Sequence, residues 1–212
     1  MAATTLDTEQ VRSILQAACQ AIIDAREELG EADRATGDGD HGQGMAAGFG
    51  AGQKALAEAQ LGSVGDAFKA IGSAVLGTSG GASGVIFGTM FRAPAKVLKG
   101  ETLDADGYAT ALEAAAEQVS ARGKAQAGHK TMLDALIPAA EAARDAADEG
   151  LAAAARAAAE AAQRGSEATA DMVATFGRAK SLGERARGHK DPGSISVAIL
   201  LTAIADGIER EQ

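Results

Sequence analysis

The sequence predicts an all-α fold, on three observations. Alanine, the strongest helix former, is abundant, whereas aromatic residues make up 3% of the chain and Trp is absent. Apolar residues recur at helical spacing in most segments. No run alternates apolar and polar residues between turn signals, as a half-buried strand does. The 212 residues suffice for one domain, 1–212, with a substantial core.

The elements follow in order. Asp7 caps a first helix, with Gln10 as its capping-box partner. Val11, Ile14, Leu15, Ala18, Ile22 and Ile23 form one apolar stripe on it, and Gly30 is its expected stop. A second helix is expected from about Met45 to Ala59. A third follows Ser63, with Asp66 in its first turn, and carries Phe68, Ile71, Val75 and Leu76. A fourth runs from Val85 to Leu98 with a kink at Pro94, and a fifth from Asp106 to Ala121. A sixth starts near Thr131 and contains Pro138. The Ala-rich stretch Leu151 to Gln163 is a seventh, in which Arg156 and Glu160 form a solvated i,i+4 pair. An eighth covers Ser166 to Phe176, and a last one Ser196 to Glu209 behind a Ser194 cap. Similar lengths and short connections predict an antiparallel bundle.

Composition also excludes functions. A net charge of −9 argues against nonspecific nucleic-acid binding, which needs clustered cations. It does not exclude a polyanion held through metal ions or helix N-termini. The chain has one cysteine, Cys19, on an apolar helix face, where it is expected as a small buried hydrophobe. No signal-like N-terminus and no stretch approaching a membrane span is evident, so a cytoplasmic protein without membrane contact is expected.

Four connections, 37–44, 77–84, 122–131 and 177–194, are rich in Gly and polar side chains, and they hold all three histidines: His41, His129 and His189. Asp33, Asp38 and Asp40 fall within eight residues of one another. Carboxylates so close repel unless a cation compensates, and oxygen-only ligands suit Mg²⁺ or Ca²⁺. An EF-hand is excluded, because counting from Asp38 puts Phe49 where the bidentate Glu belongs. The Gly/Ser loop 77–84 precedes a helix and can cradle an anion with its N–H groups. It follows a helix, so it is no dinucleotide fingerprint. Residues 123–132 nearly spell a phosphate loop, but His129 intrudes before Lys130 and Thr131 and no strand precedes them. Lys130 and Thr131 remain expected phosphate or carboxylate partners, and Met132 is core or a base-pocket wall. The long loop 177–194 carries Arg178, Lys180, Arg185, Arg187 and Lys190 opposite the acidic loop, and reads as a lid.

Together the segments ADRATGDGDHGQGMAAGF, GGASGVIFGTMF, ARGKAQAGHKTMLDALIPA and FGRAKSLGERARGHKDPGS resemble, in this order, the L-type (DAK2-like) domain of the dihydroxyacetone kinase family. The resemblance covers residues 32–194. It implies a barrel of about eight amphipathic antiparallel helices with a nucleotide, ADP or ATP, at one end. It implies two Mg²⁺ ions on Asp33, Asp38 and Asp40. It implies nucleotide contacts at His41, Gly42, Gln43 and Gly44, with Gly44 standing where the family has Asn. Further contacts carry onto Gly80, Gly81, Ala82, Ser83, Gly123, Met132, Arg178, Asp191, Pro192 and Gly193, and Arg178 also serves catalysis by neutralising phosphate. His129 replaces a usual Asp. The implied partners are a K-type subunit that holds a small ketose, dihydroxyacetone or a tetrulose, and a phosphotransferase-system protein as one possible donor. A homodimer is expected. The same domain type also occurs in fatty-acid kinases and in regulators of transcription factors.

Overall fold

A computed structural model describes residues 5–211. It is all-α apart from a two-residue antiparallel bridge, β1 (Leu6–Asp7) with β2 (Thr102–Leu103). Nine α-helices are described: α1 (Thr8–Asp24), α2 (Arg26–Thr36), α3 (His41–Glu58), α4 (Val64–Thr78), α5 (Gly81–Arg92), α6 (Ala105–Gly123), α7 (Leu133–Asp145), α8 (Leu151–Ala168) and α9 (Pro192–Arg210). Eight of them close a ring, each packing on the next: α1, α3, α4, α5, α6, α7, α8, α9 and back to α1. The short α2 lies outside this ring, against α3 and α9. The expected eight-helix antiparallel barrel is therefore the fold.

Alternation of direction has a direct consequence for function. The N-termini of α3, α5, α7 and α9 meet the C-termini of α4, α6 and α8 at one end of the barrel. The Gly-rich connections all join these termini. Inside, Phe49 meets Phe87 and Phe91 edge-on, with centroids at 6.3 and 5.2 Å. On the other side α7 packs on α8, and Ala135, Ala139 and Ala143 of the one and Ala154, Ala158 and Ala162 of the other are all buried.

Local signals place most elements. Asp7 accepts from the N–H groups of Glu9 and Gln10 while its own N–H donates to Gln10 Oε1, completing the capping box. Ser63 caps α4. Cys19 is fully buried, as expected.

Six expectations change. The first helix does not run to Gly30; it breaks at Ala25 (φ −78°, ψ 6°), and α2 continues through Gly30 to Thr36. Gly30 is a packing residue: a Cβ on the facing Gly42 would lie 2.6 Å from its nitrogen and 2.1 Å from the Arg26 carbonyl oxygen. Pro94 does not kink a helix but starts a 3-10 turn after α5 has ended at Arg92. There is no separate eighth helix at 166–176; α8 extends to Ala168 and a 3-10 turn follows. Asp191, not Ser194, caps α9, its Oδ2 accepting from the Ser194 N–H at 2.7 Å, with Pro192 in the first turn. Arg156 pairs with Asp206 and Glu209 of α9 rather than Glu160. Finally, α9 does reach the length and hydropathy of a membrane span, yet its apolar face (Val197, Leu201, Ala205, Ile208) is a wall of the barrel.

Candidate functional site

The acidic loop is built at the junction of α2 and α3. Asp33 lies in the last turns of α2 and is 7% exposed. Its Oδ2 accepts the His41 N–H at 3.1 Å, which ties it to the start of α3. Gly39, at φ +81°, turns the chain back, and a Cβ there would strike Arg34. The result brings carboxylate oxygens of Asp33, Asp38 and Asp40 within 4.8 Å of one another. They stand at the N-terminus of α3, whose partial positive charge offsets part of their repulsion. Three hard oxygen donors at this spacing fit a divalent cation such as Mg²⁺. The fold itself supplies a cation here: Arg178 Nη1 pairs with Asp38 and lies 3.5 Å from Asp40.

Opposite stands the glycine-rich loop. Ser79 ends α4 and donates to the Gly44 carbonyl at 2.7 Å, lying so close to Gly48 that no Cβ fits there. Gly81, at φ +68°, opens α5 without any side-chain cap, and among the described hydrogen bonds the N–H groups of Gly81, Ala82 and Ser83 have no protein acceptor. His41 joins the two loops. Its buried ring reaches Ser83 Oγ through Nδ1 (3.0 Å) and Ser196 Oγ through Nε2 (2.9 Å). The Ser196 hydroxyl donates to the Pro192 carbonyl, so Nε2 is the donor to Ser196 and Nδ1 accepts from Ser83. Desolvation depresses the His41 pKa, against the opposing pull of Asp33 and the Pro192 carbonyl, and keeps the ring neutral at physiological pH.

The loop 124–132 forms a third wall. Asp134 organises it, with Oδ1 accepting from Gly128 N (2.5 Å) and Oδ2 from Thr131 N (2.8 Å). Asp134 is absent from the sequence-based candidates, although Thr131-Met-Leu-Asp134 carries the spacing of a helix-start motif. Lys130 is not a phosphate partner. It is 2% exposed, and its Nζ donates to the carbonyls of Thr169 and His189. His129 stacks on Phe176 (centroids 4.8 Å, planes 7° apart), fastening this loop to the next. That last loop runs through 3-10 turns at Arg178–Ala186, broken at Gly183. Of its cations, only Arg178 reaches the acidic loop among the described ion pairs; Arg187 pairs with Glu184.

These walls enclose a cleft of about 220 Å³ lined by Asp33, Asp40, His41, Gly80, Gly81, Ala82, Ser83, Met132, Arg178, Asp191, Pro192 and Gly193, with Thr36, Ile86, Phe87, Thr131 and Gly177. Four segments far apart in sequence thus share one cavity. Asp38 stands at its rim through Arg178. Gly42, Gln43, Gly44 and Gly123 are not lining residues. Gly42 packs under α2, Gly44 gives its carbonyl to Ser79, and Gly123 faces Ile86, itself a lining residue. Other surface clefts are roomier, including one of about 340 Å³ beside Lys69, Arg92 and Lys96, but none of those described gathers carboxylates with free helix N–H groups.

Asp191 has a measurable signature. Burial pushes its carboxyl up to about 7, with Asp134 and Asp33 adding to the shift and the Ser194 N–H and Lys130 opposing it. A raised carboxyl pKa means that the folded state binds the proton more tightly than the unfolded one. Stability of the metal-free protein therefore falls as pH rises from about 4 toward 7, by at most about 1.4 kcal/mol per pH unit. Asp191→Asn keeps a capping oxygen and removes the titration. Urea unfolding at pH 5 and pH 8 should show the variant gaining on the parent chain at the higher pH; a constant difference would contradict the shift.

A closed helical barrel that faces a carboxylate cluster toward an uncapped glycine-rich helix start defines a class: a domain equipped for a metal-bound phosphate ligand. The chain belongs to the DAK2 domain family, whose model matches residues 35–206. Asp38, Asp40 and Arg178 fall inside the match and Asp33 just before it. The chain is 38% identical over 185 residues to the ADP-binding subunit DhaL of PEP-dependent dihydroxyacetone kinase 1 from Listeria innocua, covering 86% of this chain and 88% of that protein. Its identity to the Escherichia coli subunit of the same description is 36% over 176 residues, 82% and 84% of the two chains. D-erythrulose kinase of Mycolicibacterium smegmatis is 39% identical over 202 residues, 92% of this chain but 35% of that protein. Among solved structures, the dihydroxyacetone kinase of C. freundii in complex with AMP-PNP and Mg²⁺ superimposes with a TM-score of 0.71 at 28% identity, over 92% of this chain. The chain spans about a third of that kinase's length.

Proposed function

We propose that this chain is the nucleotide-binding, phosphoryl-transferring subunit of a small-ketose kinase. In this reading Asp33, Asp38 and Asp40 hold two Mg²⁺ ions against the polyphosphate of ADP or ATP, and a separate K-type subunit holds the ketose, dihydroxyacetone or a tetrulose. The observation that carries it is the convergence of the acidic loop, the free N-terminus of α5, Met132 and Arg178 on one cleft. The similarity along most of the chain to ADP-binding subunits supports it.

Phosphoryl transfer asks for positioning and charge neutralisation more than covalent protein chemistry, and the metal ions supply much of that neutralisation when bound. The protein's own contribution is geometric. The Asp33–His41 bond fixes one carboxylate before any ligand arrives. The free N–H groups following Gly80 point a helix N-terminus at phosphate. Met132, packed against Gly193, offers an apolar wall for a base. Asp191 is engaged as a helix cap and His41 between two serines, so neither is free to deprotonate an acceptor hydroxyl. The acceptor's base is therefore assigned to the partner subunit. The donor is exchangeable ATP or a phosphotransferase-system protein that recharges bound ADP. The reading carries a cytoplasmic location and a homodimer.

The isolated chain should bind ADP with Mg²⁺ in a calorimeter yet fail to phosphorylate dihydroxyacetone or a tetrulose from ATP in a coupled assay. Absence of binding would refute the nucleotide site, and robust turnover without a second protein would refute the divided kinase.

A further inference from the structure

The segment between α8 and α9 carries Arg178 across to the acidic loop, and its two ends are clasped together at one place. Gly188 N donates to the Ala170 carbonyl at 2.9 Å, and Asp191 N donates to Thr169 Oγ1 at 2.9 Å. Beside these contacts sits the Lys130 ammonium, which donates to the Thr169 carbonyl on one end of the segment and to the His189 carbonyl at 2.6 Å on the other. The segment is a loop with a neck, and a side chain from a third part of the chain bolts that neck shut.

The cost of placing a lysine there argues for a purpose. Burying an ammonium is expensive unless its donors are satisfied. Lys130 is 2% exposed and also adopts a left-handed backbone (φ +58°), unfavourable for a residue with a Cβ. Burial lowers its pKa, and Asp191, Asp171 and Asp134 counter that by favouring the charged form. An apolar side chain would fill the same volume without desolvating a charge, but it could not hold two carbonyls in register. Lys130 also belongs to the loop whose next residues, Thr131 and Met132, line the cleft, and its neighbour His129 stacks on Phe176, two residues before Arg178. The arginine's loop is therefore referenced to the nucleotide wall at both its entry and its exit.

We propose that Lys130 is a positioning residue that closes the neck of the Arg178 loop and so delivers Arg178 to the metal and phosphate end of the cleft. The inference rests on the nucleotide reading of that cleft. A long loop with an open neck samples many placements of its arginine; pinning the neck removes that freedom before the ligand arrives.

The test is a double-mutant cycle read by titration of ADP with Mg²⁺. Lys130→Met and Arg178→Ala should each weaken binding by about tenfold, the scale of one charge-assisted contact. The double variant should bind no more weakly than Arg178→Ala alone, because a mispositioned arginine has nothing further to lose. In ADP-loaded Lys130→Met, trypsin should cut after Lys180, Arg185 and Arg187 faster than in the parent chain. A lysine that only stabilises the fold would lower the melting temperature without this coupling. Multiplying effects, or an unchanged affinity in Lys130→Met, overturn the proposal. The parent chain's own titration with ADP and Mg²⁺ is the separate control: if it does not bind, the nucleotide reading falls, and this inference with it. Should Lys130→Met not fold, Thr169→Val opens the Asp191 hydrogen bond at the same neck, and additivity of that variant with Arg178→Ala is equally fatal.

Discussion

Asp38→Ala and Asp40→Ala should each abolish Mg²⁺-dependent ADP binding and leave the barrel folded. The two side chains are 51% and 68% exposed, and their described ionic partner is Arg178. An exposed ion pair contributes roughly 0–1 kcal/mol, so its loss is small. Removing one of three carboxylates that lie within 4.8 Å of one another also relieves repulsion in the metal-free state. Binding behaves differently. Losing even an outer-shell partner costs a metal site roughly 10–100-fold in affinity, and a direct ligand should cost at least the upper end of that range. Asp33→Ala provides the contrast. Its carboxylate is buried and accepts the His41 N–H, so truncation leaves an unpaired donor and should cost about 1–3 kcal/mol of stability as well as binding. Calorimetric titration with ADP and Mg²⁺, paired with thermal melts in a chelator, separates the two classes. Unchanged ADP affinity in both exposed-carboxylate variants would remove the acidic loop from the site.

Arg178→Ala should move two affinities in opposite directions. Without metal, the guanidinium occupies the space in front of Asp38 and Asp40. A divalent cation must displace it, so removing the side chain should strengthen metal binding to the empty protein by about tenfold, readable with Mn²⁺ as a spectroscopic substitute. The same change should weaken ADP·Mg²⁺ by a similar factor, because the polyphosphate loses a charge-assisted donor. The metal effect should shrink at high salt, since both acidic partners are exposed. If the two affinities fall together, Arg178 supports the loop's fold and does not exchange between carboxylate and phosphate.

How much was legible depended on the range of the interaction. The Asp7 capping box, the helix start after Ser63 and the stripe on α1 involve residues three or four apart and appear as read, save that Ile23 is only half-buried. The stop at Gly30 failed because helical periodicity persists through Ala25, while the reason for a glycine at position 30 is its contact with Gly42 on another helix. Arg156 had an acceptable partner four residues on, but α9 brings two carboxylates, Asp206 and Glu209, within 2.7 Å. Lys130, two residues after Gly128, reads as a phosphate or carboxylate partner, but its acceptors lie 39 and 59 residues away. Asp134, which shapes the same loop, is legible only from its spacing to Thr131, a local signal weaker than the glycines beside it.

By itself the sequence determined an all-helical chain and an acidic loop dense enough to demand a cation. Helical hydrogen bonding, capping and the mutual repulsion of Asp33, Asp38 and Asp40 act within a few residues of chain and are written there directly. Only the tertiary structure decided that the acidic loop, the start of α5, Met132 and Arg178 form one cavity, and that Lys130 serves the scaffold. Those outcomes follow from ring closure. Packing antiparallel amphipathic helices buries their apolar faces and carries every second connection to the same end, an arrangement set by contacts between helices distant along the chain.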